Sequence, residues 1–270
     1  MSVPRVMGIL NATPDSFYAA SRVQTEEAVA QRVQQMLDEG ADMIDVGACS
    51  TRPDSVPVSE QEEMERLRRT LTVVRRVAPD AVVSVDTFRP SVARMVVEEY
   101  GADIINDVKS SATLHSDDNA QLNEMFRMVA RLGVPYILMS QAADMKTMLM
   151  ELARDVQQLR DYGQKDIIVD PGFGFGKTLE DNYAVMRDLS QLQLLELPVL
   201  VGVSRKRMVW QLLDIEPEQA LNGTTVLNTM ALERGAKILR VHDVRAAVEC
   251  VRINSKSKIV NCKLYRCLTL

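Results

Sequence analysis

The sequence predicts an α/β protein built as a single (β/α)8 TIM barrel, and three features carry that expectation. Eight short runs rich in Val, Ile and Leu recur along the 270 residues. Amphipathic stretches at helical spacing separate them, and a glycine commonly closes a stretch just before the next run. No compositional break interrupts the series, so one core of barrel size is expected rather than two domains. A doubly wound open sheet shares these local signals, but the count of eight favours closure.

The first run is VMGILN from Val6, followed by a helical stripe of Val29, Val33, Met36 and Leu37 that ends at Gly40. MIDVG from Met43 precedes a helix that opens with Ser59 and Glu62 in the spacing of an S-x-x-E capping box. That helix continues through Met64, Leu67, Leu71 and Val74 on one face. VVSVD from Val82 and IIND from Ile104 come next, with Gly101 between them. The stripe Met125, Met128, Val129 and Leu132, closed by Gly133, leads into YILM from Tyr136. IIVD from Ile167 follows Gly163, VLVGVS starts at Val199, and ILRVH from Ile238 follows Gly235. Runs that are apolar at successive positions suit strands covered on both faces, as in a parallel sheet. The barrel domain is expected over residues 1–254, leaving 255–270 as a tail with Lys256, Lys258, Lys263 and Arg266 and no acid.

Composition narrows the function classes. With 32 Lys plus Arg against 37 Asp plus Glu, a net charge of −5 and no basic block, the footprint of a nucleic-acid binder is missing. No apolar run is long enough to span a bilayer, and the start MSVPRVMGIL lacks the regions of a signal peptide. A cytoplasmic protein without a membrane partner is expected. The four cysteines, Cys49, Cys250, Cys262 and Cys267, show no CxxC spacing, and His115 and His242 alone cannot complete a zinc set. They read as reduced thiols, with a Cys262–Cys267 disulfide as the open alternative.

In a barrel of this kind the functional groups gather where strands end. Those ends read Asn11; Ser50 with Thr51 and Arg52; Asp86; Asn106 with Asp107; Ser140; Asp170; Ser204 with Lys206; and Arg240 with His242. Any one of them is explained as a turn former or helix cap. All eight on one rim point instead to a common polar cavity. Carboxylates at Asp86 and Asp170 can each accept parallel hydrogen bonds from a planar N–H/NH2 edge, and Asn106 adds a donor and an acceptor. A heterocycle such as a pterin or guanine presents that edge. The loop DPGFGFGK, Asp170 to Lys177, is not in P-loop register. It reads as tight turns with Phe173 and Phe175 walling an aromatic ligand, two core phenylalanines being the alternative. Arg240 and His242 alternate on the last strand and so share a face, a cationic wall for phosphate oxygens near Ser204 and Lys206. The plainer reading of His242 is a histidine satisfied by its neighbour Asp243.

Taken as strings, MGILNATPDSF, IDVGACSTRP, SVDTFRP, IINDV, DPGFGFGKT, GVSRKR and RVHDV resemble, in this order, the dihydropteroate synthases of folate biosynthesis. The segment SFYAASR resembles their Bacteroidetes-type members. The resemblance implies a transferase that joins 6-hydroxymethyl-7,8-dihydropterin pyrophosphate to p-aminobenzoate through an SN1-like cationic pterin, with Mg2+ assisting and sulfonamides competing. It implies that Asp86, Asn106, Met139, Asp170, Phe175, Lys206 and Arg240 hold the pterin. Phe17, Ser50, Thr51, Arg52, Pro53 and Ser204 would hold p-aminobenzoate, with Phe175 and Lys206 alongside. Asn11, Arg240 and His242 would hold pyrophosphate, Asn11 also serving the metal. The catalytic set would be Asn11, Asp86, Asp170, Lys206, Arg240 and His242, working as a homodimer. No protein nucleophile is needed, because the arylamine attacks by itself.

The sequence departs from the family at Ala19, where an aspartate is usual, at Lys109 to Ser111, where glycines are, and at Ser140, where a histidine is frequent. An N-terminal hairpin common in relatives is nearly absent, which leaves the barrel floor less covered. Two rivals stay open. A pterin-binding methyltransferase barrel shares the Asp, Asn, Asp set but lacks the STRP, SRK and RVHDV strings. A catalytically silent pterin-binding homologue is suggested by Ala19.

Overall fold

The computed structural model describes residues 3–12, 26–48, 58–111 and 116–267, with side chains described for 3–12, 26–48, 58–108 and 123–257. Strands and helices alternate: β1 (Arg5–Asn11), α1 (Glu26–Asp38), β2 (Met43–Gly47), α2 (Glu60–Val77), β3 (Val83–Asp86), α3 (Pro90–Tyr100), β4 (Ile104–Ser111) and α4 (Ser116–Leu132). The second half repeats the pattern with β5 (Tyr136–Ser140), α5 (Met145–Asp161), β6 (Ile167–Asp170), α6 (Leu179–Asp188), β7 (Leu200–Val201), α7 (Arg207–Leu213), α8 (Leu221–Glu233), β8 (Ile238–Val241) and α9 (Val244–Cys267).

All strand pairs are parallel, in the order β6-β5-β4-β3-β2-β1-β8-β7. A bridge between Val169 and Val199 brings the two edge strands together and closes the ring. The eight runs are therefore barrel strands, and the doubly wound alternative falls away. Inside the barrel, at the beginning of seven strands, Met7, Met43, Ile104, Ile137, Ile168, Leu200 and Ile238 form one buried cluster. Each such side chain removed from water contributes roughly 1.5–3 kcal/mol. These residues form the apolar floor of the barrel.

The helices follow their apolar stripes. Val29, Val33 and Met36 of α1, and Leu67, Leu71 and Val74 of α2, are buried against the outer face of the barrel. Ser59 caps α2, its hydroxyl accepting from the Glu62 amide at 3.2 Å. The helix-closing glycines Gly40, Gly101, Gly133, Gly163 and Gly235 all have φ between 61° and 97°, the left-handed conformation that stops a helix.

Two elements differ from expectation. β7 keeps only Leu200 and Val201 of the VLVGVS run as ladder residues, with Val199 joined to β6 by a single bridge to Val169. The last helix, α9, passes through position 254 without interruption, so the barrel helix and the start of the basic tail are continuous. Cys250 of α9 is buried and unpaired. Cys49 lies outside the described residues, as do the side chains of Cys262 and Cys267. Among the described residues no helix is long and apolar enough to cross a membrane.

Candidate active site

Strand alternation builds the site on the apolar floor. Two residues beyond Met43, Ile104, Ile137, Ile168, Leu200 and Ile238 stand Asp45, Asn106, Met139, Asp170, Gly202 and Arg240, which therefore share the inward face one layer higher. β3 adds Ser84 and Asp86 in the same phase. The floor is apolar and the next layer is charged.

Arg240 organises that layer. Its Nε donates to Asp45 Oδ2 at 2.6 Å and its Nη2 to Asp86 Oδ2 at 3.1 Å. Asp45 also accepts from Ser84 Oγ at 2.6 Å and from Asn106 Nδ2 at 3.1 Å. These bonds commit the Asn106 amide nitrogen and leave its Oδ1 buried without a partner among the described residues. A buried acceptor without a donor is costly, by about 1–3 kcal/mol, and a donor from a ligand or a water relieves that cost.

Asp170 ends β6 on the same rim. Its Oδ1 accepts from the Gly172 amide at 2.8 Å, and Oδ2 has no hydrogen-bond partner among the described residues. Gly172 has φ +63°, and a Cβ there would lie 2.2 Å from the Ser140 carbonyl oxygen. Gly172→Ala is therefore expected to lower stability by well over about 1 kcal/mol, read as a fall in melting temperature of more than roughly 3 °C. An unchanged melting curve would show that the loop has room.

Lys206, just past β7, bends over this loop. Its Nζ donates to the Phe173 carbonyl and lies 4.8 Å from the centroid of the Phe175 ring. Phe175 is half-buried at the rim, as a ligand wall requires, whereas Phe173 is fully buried in the core. Phe173 is therefore a core residue, and of the two only Phe175 is open to the rim. Lys177 does not serve as a phosphate lysine of P-loop type: its Nζ ties the loop together by donating to the Gly172 carbonyl at 3.0 Å and, at 3.4 Å, to those of Ser140 and Phe175.

Charges in this layer are shifted strongly. Burial pushes Asp86 up to about 7, against the pull of Arg240. Burial also raises Asp170, against the pull of Lys206 and the Gly172 amide. Lys206 is brought down to about 8 by burial, with Asp170 opposing. Arg240 resists its own burial because Asp45 and Asp86 hold it above the ordinary arginine value. His242, brought down to about 4 by burial and by Arg240, is neutral at pH 7.

That last shift changes the expected cationic wall. His242 stands beside Ser204, whose Oγ lies 3.0 Å from Nδ1 and accepts the His242 amide at 3.1 Å. Asp243 is not its partner, being engaged by the Arg205 guanidinium at 2.8 and 2.9 Å. Arg240 is drawn into the carboxylate layer, and the wall consists of a neutral imidazole with a hydroxyl. Asn11 ends β1 on the same rim, in register with Gly47. Met139 is fully buried beside the Asp170 strand end, its side chain 3.1 to 3.3 Å from where a Gly172 Cβ would be. Phe17, Ala19, Ser50, Thr51, Arg52 and Pro53 lie outside the described residues. Two other strand-end groups have structural tasks: Asp107 accepts from the Tyr136 hydroxyl at 2.7 Å, and Ser140 Oγ accepts the Ala142 amide at 3.1 Å.

Sequence reasoning missed Asp45. A carboxylate inside the apolar MIDVG run, two residues after an inward Met43, was the available signal. It also missed Glu63, which is fully buried on α2, accepts from Thr87 Oγ1 at 2.7 Å and pairs with Arg89.

Residues 7–242 match the model of the pterin binding enzyme family. The dihydropteroate synthase of Escherichia coli K12 is 36% identical in a 272-position alignment that covers 94% of this chain and 91% of that protein. Among solved structures, a dihydropteroate synthase from Coxiella burnetii in complex with pteroic acid superposes with a TM-score of 0.84 at 33% identity, covering 96% of this chain and 95% of that one. The dihydropteroate synthase of Xanthomonas albilineans with 4-aminobenzoic acid gives 0.83 at 36% identity, covering 95% and 93%. A charged layer at the strand ends accompanies similarity over nearly the whole barrel: the chain belongs to the pterin binding enzymes, in the dihydropteroate synthase branch.

Proposed function

We propose that the chain condenses 6-hydroxymethyl-7,8-dihydropterin pyrophosphate with p-aminobenzoate, releasing 7,8-dihydropteroate and pyrophosphate. The observation that carries this reading is the Asn106 Oδ1 buried without a partner among the described residues, on the rim that also carries Asp86, Asp170 and Arg240. A pterin fits that set, its N–H/NH2 edge on Asp170, a further ring N–H on Asn106 Oδ1, and Met139 beneath the ring. Lys206 and Phe175 cover the opposite side. Residues Phe17, Ser50, Thr51, Arg52 and Pro53, with Ser204, take the arylamine by the family pattern.

In the reaction, the carbon–oxygen bond to pyrophosphate breaks first and leaves a cationic methylene conjugated with the ring. Asp86 and Asp170 stabilise that charge as it develops, in a layer fixed beforehand by Arg240. His242 meets the departing group as a neutral hydrogen-bond partner, together with Ser204. Among the described residues no cluster of three or more His, Cys, Asp or Glu side chains is set for a metal, so a Mg2+ ion here would rely on waters, substrate phosphates and one or two protein oxygens. Asn11 would hold the ion by its amide oxygen, and a bound Mg2+ neutralises charge on the leaving pyrophosphate.

The test is pyrophosphate release, expected only with Mg2+ and p-aminobenzoate together and inhibited by sulfonamides in competition with the arylamine. Pterin binding without any release would favour the silent homologue. The rate should also follow two titrations. Below about 7, a protonated Asp86 presents a donor to a donor; above about 8, Lys206 loses its charge. kcat/KM is therefore expected to be bell-shaped between these limits, with no contribution from His242. A flat profile from pH 6 to 9 would remove both groups from the mechanism.

The chain works in the cytoplasm as a homodimer in this reading. Exposed Leu212 and Leu213 of α7, Leu221 and Val226 of α8 and Ile253 of α9 supply apolar surface on consecutive helices for a second copy. Sedimentation at micromolar concentration is expected to give twice the chain mass, and a monomer there would contradict it.

A further inference from the structure

β7 and β8 are paired only at Leu200 with Ile238 and Val201 with Leu239. The residues that matter chemically come after that ladder has ended: Ser204 and Lys206 on one side, Arg240 and His242 on the other. Backbone pairing thus does not fix the separation between the two halves of the rim. Among the described residues two links span it beyond the ladder, the Ser204–His242 pair and a fork from Arg205 to Asp243.

The fork is built with some care for geometry. Nε and Nη2 of Arg205 donate to the two carboxylate oxygens of Asp243 at 2.9 and 2.8 Å, the bidentate arrangement that fixes direction as well as distance. Nη1 donates to the Glu218 carbonyl at 3.0 Å, and the Arg205 amide donates to Thr224 Oγ1 at 3.1 Å. The backbone at Arg205 is left-handed, φ +52°, in a residue that is not glycine. Such a conformation costs of order 1 kcal/mol or more and persists where surrounding contacts impose it. It turns the arginine side chain outward to Asp243 while Ser204 and Lys206, one residue away on each side, serve the rim.

We infer that Arg205 is a positioning residue for the transfer reaction: its fork on Asp243 holds β7 to β8 beyond the end of their short ladder and sets Ser204 and Lys206 against His242. This rests on the synthase reading for its kinetic consequence, but not for its structural one.

The test uses the full chain with Arg205→Lys, which keeps the cation but not the fork, Asp243→Asn, which keeps the shape but not the charge, and the double variant. Each single variant is expected to lower kcat for pyrophosphate release about tenfold or more. Equilibrium binding of the dihydropterin, to which Lys206 contributes alongside Asp170 and Asn106, should weaken by a smaller factor than kcat falls, and the variants should stay folded at the assay temperature. The double variant should be no worse than the worse single one, since both break one contact. Independent multiplication of the two losses, or singles with parental kcat, would overturn the inference. With two histidines in the chain, the imidazole nitrogen resonances of His242 give a second readout that needs no turnover. They are expected to shift in both single variants as the Ser204 contact loosens, and unchanged resonances would overturn the inference even in a chain that releases no pyrophosphate. A parent without release but with shifted resonances in the variants would defeat the synthase reading alone.

Discussion

Replacing Arg240 with methionine is expected to unfold the chain more easily by about 3–5 kcal/mol and to abolish pterin binding, because Asp45 and Asp86 lose the cation between them. Asp45 is fully buried and Asp86, at the rim, is nearly so. Denaturant titration measures the stability loss. The diagnosis is sharpened by Arg240→Met combined with Asp45→Asn, which removes one of the stranded charges. That double variant should regain part of the stability and still fail to bind pterin, since Asp86 no longer has its orienting partner. A stable Arg240→Met chain with parental affinity would mean that the ion pairs at 2.6 and 3.1 Å contribute little to either property.

Asp170→Asn is expected to cost roughly 2–3 kcal/mol of pterin affinity, a loss of about thirtyfold to a hundredfold or more, with little change in fold. The amide oxygen can still accept from Gly172, so the loop keeps its anchor. Its NH2 then faces the ring's own donors, which a carboxylate oxygen would have received. Calorimetric titration with the pterin gives the affinity, and a parental value would take Asp170 out of recognition.

The barrel was legible because its signals are local. Apolar runs, capping serine and closing glycines each act within a few residues: Gly40 and Gly133 end their helices as their spacing promised, while Ser59 caps α2 without the return bond from Glu62, whose carboxylate pairs with Arg66 instead. β7 was over-read because hydrophobicity alone does not reveal that ladder pairing is limited to Leu200 and Val201. At the site, strand-end residues such as Asp86, Asn106 and Asp170 were readable from position. Asp45 was not, since a carboxylate inside an apolar run makes sense only once Arg240, 195 residues away in sequence, is known to meet it. The state of His242 was also beyond the sequence. Its neutrality follows from burial and from the nearness of Arg240, both properties of the closed barrel.

The measurement closest to the heart of this account is a crystal structure of the chain soaked with 6-hydroxymethylpterin. The ring should lie across the β-strand ends with its N–H/NH2 edge on Asp170 and a ring nitrogen within hydrogen-bond distance of Asn106 Oδ1, while Arg240 keeps both carboxylates. A pterin bound elsewhere, or one that leaves Asn106 Oδ1 still unpaired, would contradict it.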